Sequence, residues 1–422
     1  MHHDTDLINI VAVGLGLAFI LGALANKLRL SPLVGYLVAG IFVGPFTPGF
    51  VADQALANQL AELGVMLLMF GVGLHFSLKD LMAVKAIAIP GAVGQIAVAT
   101  LLGWGVASLM GWPTVHGIIF GFSLATASTV VLLRAMEERR LLETTRGKIA
   151  VGWLIVEDLA CVLALVMMPV IADVFGPGAD SQQPTFAGVM TQIGITLLKL
   201  AAFVAVMLLV GRRVIPWVLE RIAGTGSREL FTLSVLAIAL GVAFGSAMAF
   251  GVSFALGAFF AGMLLNESEL SHKAAHDSLP LRDAFAVLFF VSVGMLFDPM
   301  IVVRQPWAVL GVLGIVIVGK SVAALVITQT FKLDRPTGFT VAASLAQIGE
   351  FSFILAALGV SLGAMSRETH DLILAAALLS ISLNPFVFLF TDRMGGKPKP
   401  PAAGAIRPAA ADGPITDAVA AP

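Results

Sequence analysis

The chain has 422 residues, 58% of them hydrophobic and only 12% charged, with a net charge of −1 and a mean hydropathy of +0.97. Soluble domains carry about 25% charged residues, so a water-soluble globular protein is excluded. The long apolar runs argue against a β-barrel, whose strands alternate in short segments of weaker hydropathy. Scattered basic residues, without a patch or an aromatic platform, argue against nucleic acid as a partner.

In chain order, the N-terminal MHHDTD lacks the basic region of a cleavable signal, so the first span is expected to remain. Apolar runs near the ~20 residues needed to cross a bilayer then predict thirteen helical spans. They lie at about 7–25, 33–45, 58–75, 86–110, 115–134, 149–172, 187–211, 229–247, 251–266, 284–298, 307–331, 337–362 and 370–391. The single cysteine, Cys161, falls inside a span and reads as a small core side chain. After residue 392 the chain turns Pro/Ala/Gly-rich (GGKPKPPAAGAIRPAAADG), which predicts a disordered cytoplasmic tail over 393–422.

Charge distinguishes the two sides. Alternate loops, counted from the first, hold nearly all the Lys and Arg, from Lys27 and Arg29 to Lys332 and Arg335. The opposite loops hold only Arg304 and Arg367. The richer side is expected in the cytoplasm, with the N-terminus outside and the C-terminus inside.

The chain also resembles itself. LVGYLVAGI (33–41) matches ALGAFFAGM (255–263), FGVGLHFS (70–77) matches VSVGMLFD (291–298), and SLATASTVVL (123–132) matches SLAQIGEFSF (344–353). The offsets are 222, 221 and 221 residues. Six spans repeating after one intervening span predict two six-helix repeats of opposite membrane orientation. Repeat one covers about 7–172, a linker helix about 187–211, and repeat two about 229–391. Inverted repeats of this kind build secondary transporters, whose sites form at the midplane on discontinuous helices.

The third matched pair supplies such helices. ATAST (125–129) in span five and AQIGEFS (346–352) in span twelve place Thr126, Ser128, Thr129, Gln347 and Glu350 at equivalent depths. An unwound turn at each would aim carbonyls and helix ends at the centre. The plainer alternative is that Ser and Thr back-bond to their own helices while small residues pack. Glu350 fits that alternative poorly, because an acid in mid-span faces protein or water.

Span six carries GWLIVEDLACVLALVMMP (152–169), with Glu157 and Asp158 side by side. Adjacent helical positions diverge by about 100°, so one carboxylate can face a cavity while the other turns to a neighbouring helix. A carboxylate there can hold a proton or a metal cation but not comfortably both, which is the minimal chemistry of cation/proton exchange. Lys320, in span eleven, needs an anion nearby, and Glu157 and Asp158 are the candidates. No Walker A sequence and no GxGxxG is present, so neither ATP-driven transport nor dinucleotide binding is indicated.

ANKLRLSPLVGYLVAGIFVGPFTPGF (25–50), LMFGVGLHFSLKDL (68–81), VGWLIVEDLACVLAL (151–165) and AQIGEFSFIL (346–355) resemble the monovalent cation:proton antiporter-2 family, in its Kef-type, YbaL-like bacterial branch. The resemblance covers essentially residues 1–392. It implies an all-α polytopic fold like the sodium/proton antiporters, with two crossing broken helices and a separate dimerisation domain, hence a homodimer in the bacterial inner membrane. It also implies a site: Asp158 looks like the ion- and proton-binding carboxylate, with a monovalent cation as its metal. Glu157 occupies a position that is Asp in sodium-exchanging relatives and Gln in potassium-efflux relatives, which leaves ion choice open. Lys320 matches a lysine that compensates the neighbouring acid, and Glu350 the acid of the family's GEF motif.

Many Kef-type members continue into a nucleotide-binding regulatory domain of the TrkA-N type. This sequence carries its tail there, which reads either as a natural short form or as a transport domain without its regulator. Gating by NAD(H) or glutathione conjugates is therefore not carried over, and a separate cytoplasmic regulator is the partner that the second reading implies. The expectation is a secondary transporter, not an enzyme, that exchanges a monovalent cation, K⁺ before Na⁺, for H⁺. It works amid membrane lipid and needs no cofactor beyond the ions it moves. Competing expectations are a gated potassium-efflux channel, symport of an organic anion on the same fold, and a non-transporting sensor.

Overall fold

The computed structural model describes residues 6–28, 30–47, 53–75, 78–142, 144–175, 186–266 and 271–395. The described residues are helical and connecting segments. The first half runs through α1 (Asp6–Lys27), α2 (Pro32–Val43), α3 (Gln54–His75), α4 (Leu78–Leu109), α5 (Thr114–Ala125), α6 (Thr129–Glu138) and α7 (Thr145–Phe175). Next, α8 (Phe186–Val206) passes through a π-helical turn (Met207–Gly211) into α9 (Arg212–Ala223). The second half holds α10 (Arg228–Phe250), α11 (Phe254–Asn266), α12 (Ser271–Met295), α13 (Ile301–Arg304) and α14 (Pro306–Gly314). A second π-helical turn (Ile315–Gly319) leads to α15 (Lys320–Thr330), followed by α16 (Arg335–Leu345), α17 (Glu350–Ser361) and α18 (Arg367–Gly395).

Each expected span falls on one of these helices or on a helix pair, and among the described residues ten helical stretches are long and apolar enough to cross a membrane. The difference from thirteen has physical reasons. α2 and α11 have 12 and 13 residues, about 18 and 20 Å at 1.5 Å per residue, against a hydrocarbon core of about 30 Å. α12 carries Lys273, Asp277, Arg282 and Asp283 in its first half, which lowers its hydropathy. The tail beyond residue 395 lies outside the described residues.

Local chemistry sets the helix ends. Ser31 caps α2 with Pro32 as its first residue, a position where the missing N–H costs nothing. Ser227 caps α10 by accepting from Leu230 N at 3.3 Å, and Gly251 ends it in the left-handed conformation, φ 68°, where glycine carries no Cβ penalty. Asp334 caps α16 and also accepts from the Thr337 hydroxyl at 2.6 Å.

Helix starts keep the spacing of the sequence matches. Thr114 and Arg335, which open α5 and α16, stand 221 residues apart, as do Thr129 and Glu350, which open α6 and α17. Packing follows suit at the glycines. A β-carbon on Gly40 of α2 would meet the Val291 carbonyl and come within 2.7 Å of Gly294 Cα, and one on Gly294 of α12 would meet the Leu37 carbonyl. Gly73 of α3 and Gly262 of α11 make a second such crossing: β-carbons there would meet the Phe259 and Phe70 carbonyls. With lipid as apolar as leucine, helix association depends on close van der Waals contact, and small residues permit it. α3 thus seats on α11 and α12, and α12 on α2, as a frame beside the broken helices.

Candidate functional site

Both broken spans are present. α5 stops at Ala125 and α6 starts at Thr129, leaving 126–128 unwound; α16 stops at Leu345 and α17 starts at Glu350, leaving 346–349 unwound. The two breaks meet. Gly349 N donates to the Thr126 carbonyl at 3.1 Å, and the Thr126 and Ser352 hydroxyls bond across the junction at 2.7 Å.

An unwound backbone in a low-dielectric interior has to find partners for its orphaned groups. At the first break Gln95 of α4 donates to the Ala125 carbonyl at 3.1 Å, and Glu157 accepts from Ala127 N at 2.9 Å. The Gln347 amide takes both sides of Ser128: its oxygen accepts from Ser128 N at 3.0 Å and its nitrogen donates to the Ser128 carbonyl at 3.2 Å. At the second break Lys320 donates to the Gln347 carbonyl at 3.0 Å, and Ile348 N donates to the Ser380 hydroxyl at 3.3 Å. Asn384 donates to the Ala343 carbonyl, 2.9 Å away, in the last turn of α16.

Charge follows the helix dipoles. Asp158 accepts from the Thr129 hydroxyl at 2.8 Å, at the positive N-terminal end of α6, and Glu350 is the first residue of α17. The ammonium of Lys320 sits past the negative C-terminal end of α16. Anions at N-termini and a cation at a C-terminus are the favourable placements. Lys320 also faces Glu157 electrostatically, as Asp158 faces Glu350 and Glu157.

Every residue singled out from the sequence therefore gathers at one junction. Glu157 and Asp158 diverge as their helical spacing requires: one reaches Ala127 and the other Thr129, on either side of Ser128. Ser128 itself caps α6, accepting from Val131 N at 3.2 Å. Lys320 finds a backbone carbonyl as its hydrogen-bond acceptor, where the sequence pointed only to the acids. Gln95, Ser352, Ser380 and Asn384 were not singled out. Gln95 and Asn384 carried a usable signal, being amides inside apolar runs; the two serines did not stand out from many others.

The site is buried: Asp158 is 6% exposed, Glu350 1%, and Glu157 and Lys320 0%. Asp158 Oδ1 and both Glu350 carboxyl oxygens have no hydrogen-bond partner. Three buried acidic oxygens at the crossing of two broken helices make an oxygen-donor set suited to a hard monovalent cation or to protons.

The chain is similar to known exchangers and antiporters. The family model for the transmembrane sodium/hydrogen exchanger matches residues 15–390. The candidate cation/proton antiporter YbaL of Escherichia coli (strain K12) is 64% identical over 393 residues, 93% of this chain and 70% of that protein. K⁺ efflux antiporter 4 of Arabidopsis thaliana is 33% identical over 370 residues, 87% of this chain and 61% of that protein. Among solved structures, the sodium proton antiporter MjNhaP1 from Methanocaldococcus jannaschii superimposes with a TM-score of 0.63 at 14% identity, covering 93% of this chain and 99% of that one. That last likeness shows a shared fold. This chain is a multi-pass membrane protein of the sodium/hydrogen exchanger family, in its monovalent cation:proton antiporter-2 division.

Proposed function

We propose that this chain is a secondary antiporter that exchanges a monovalent cation, K⁺ before Na⁺, for H⁺ by alternating access. The observation that carries the reading is the buried junction of two broken helices, where Asp158 Oδ1 and the Glu350 carboxyl stand unpartnered. Asp158 binds cation and proton in turn. Glu350 and the hydroxyls of Thr126, Ser128 and Thr129 replace part of the cation's water shell. Glu157 and Lys320 balance each other's charge beside the site, and Gln347 ties the two breaks into one unit. Supporting K⁺ are the efflux antiporters among the relatives.

In this reading the two halves are inverted repeats in the bacterial inner membrane, N-terminus outside and C-terminus inside, following the excess of Lys and Arg on one side. The frame helices α1–α3 and α10–α12 hold a homodimer while the broken-helix core moves, and a separate cytoplasmic regulator gates it.

The test is ΔpH-driven exchange in proteoliposomes, K⁺ against Na⁺, for the wild type and Asp158→Asn. Cation-dependent proton movement that vanishes in the variant is expected and names the ion. Equal flux from both proteins removes Asp158 from the site. Wild-type conductance without proton coupling replaces the antiporter with a channel.

A further inference from the structure

Behind the first break, on α4 and α7, lies a second set of polar groups that the exchange chemistry leaves unexplained. Trp153 is the largest wholly buried side chain in the protein, one helical turn before Glu157 on α7. Its ring lies against Gly91 of α4, where a β-carbon would come within 2.7 Å of Cε3 and closer still to Cζ3 and Cη2. One turn along α4 from Gly91 stands Gln95, also wholly buried.

The two helices therefore meet along Gly91–Gln95 and Trp153–Glu157, and their polar ends converge on backbone two residues apart. Gln95 holds the Ala125 carbonyl, and Glu157 holds Ala127 N. Three buried atoms of this set are left over: Trp153 Nε1, Gln95 Oε1 and Glu157 Oε1 have no hydrogen-bond partner. The indole N–H nevertheless faces the Glu157 carboxylate. Donor and carboxylate stand one turn apart on the same helix, and leaving either group unmet in a buried site is costly.

We propose that Trp153 and Gln95 are positioning residues of the exchange site: the Trp153 N–H holds the free oxygen of Glu157, and Gln95 holds the Ala125 carbonyl. Together they fix the backbone of the first break so that Thr129 meets Asp158. Neither touches the transported ion. Their effect is on the geometry of the site, so binding is weakened more than turnover. The inference rests on the antiport reading for its transport readout but not for its optical one.

The experiment uses the full chain in proteoliposomes with Trp153→Phe, which keeps a ring on Gly91 and deletes the N–H, and Gln95→Met, which keeps the volume. Losing one hydrogen bond is expected to raise the apparent KM for the exchanged cation about fivefold, with a smaller change in maximal rate. The indole emission of Trp153, taken as wild type minus Trp153→Phe, is expected to differ between the native background and Glu157→Gln. A wild-type KM in both variants overturns the proposal, as does a Trp153 emission indifferent to Glu157→Gln. If Trp153→Phe does not fold, Gln95→Met carries the test alone: a raised KM supports it and a wild-type KM overturns it. Normal exchange by Asp158→Asn would instead sink the antiport site while leaving the optical result to judge the Trp153–Glu157 contact.

Discussion

Gly349 and Thr126 join the two broken helices directly: the Gly349 N–H bonds the Thr126 carbonyl at 3.1 Å, and a β-carbon on Gly349 would collide with the unwound backbone of the first break. A side chain on Gly349 would come within 2.6 Å of the Ala127 carbonyl carbon and 2.8 Å of Ser128 N. Backbone atoms cannot move aside as a flexible side chain can. Gly349→Ala is therefore expected to cost about 1–3 kcal/mol through overpacking and to abolish exchange by separating the breaks. Thermal melting in detergent, read beside proteoliposome flux, checks both. A variant that melts and transports like the wild type would show that the junction opens without cost.

Thr129 supplies the only hydrogen bond that Asp158 makes among the described contacts. Thr129→Val keeps the shape and removes the donor. A hydrogen bond to a charged group contributes about 1.5–3 kcal/mol, so the apparent cation affinity should fall about 10- to 100-fold. Thr126→Val removes a bond between two neutral hydroxyls and should cost nearer fivefold. Cation titrations of exchange rate measure both, and the reverse order would contradict the roles given to the two threonines.

Lys320 has two partners, the Gln347 carbonyl and the charge of Glu157. Lys320→Met leaves both without their cation, and breaking a buried pair from one side costs about 3–5 kcal/mol. Glu157→Gln in the same chain removes the uncompensated charge, so the double variant should be more stable than Lys320→Met alone. A double-mutant cycle on melting temperature quantifies the coupling. Strict additivity would mean that Lys320 serves the Gln347 carbonyl only.

The frame is tested at its crossings. Gly40→Val drives a branched side chain into the Val291 carbonyl and Gly294, and Gly262→Val does the same to Phe70 and Leu74. Both should reduce the yield of monodisperse protein on size-exclusion chromatography, by more than valine at Gly105, where a β-carbon meets nothing within 4 Å. Equal yields for all three would show that the crossings tolerate separation.

The sequence by itself determined which segments enter the bilayer, because the cost of burying charge is paid residue by residue and shows in composition alone. It also marked the acids, Lys320 and the interrupted spans, since a polar group in an apolar run is conspicuous wherever the run ends up. What it did not decide was which orphaned backbone group each polar side chain answers. Gln347 clasping Ser128, Lys320 turning to the Gln347 carbonyl, and Gln95 reaching Ala125 join positions 27 to 219 residues apart, by hydrogen bonds whose direction exists only once the helices cross. Nor did composition reveal the pairing of Gly40 with Gly294 and Gly73 with Gly262. A glycine records that something approaches closely; only the packed tertiary structure decides what.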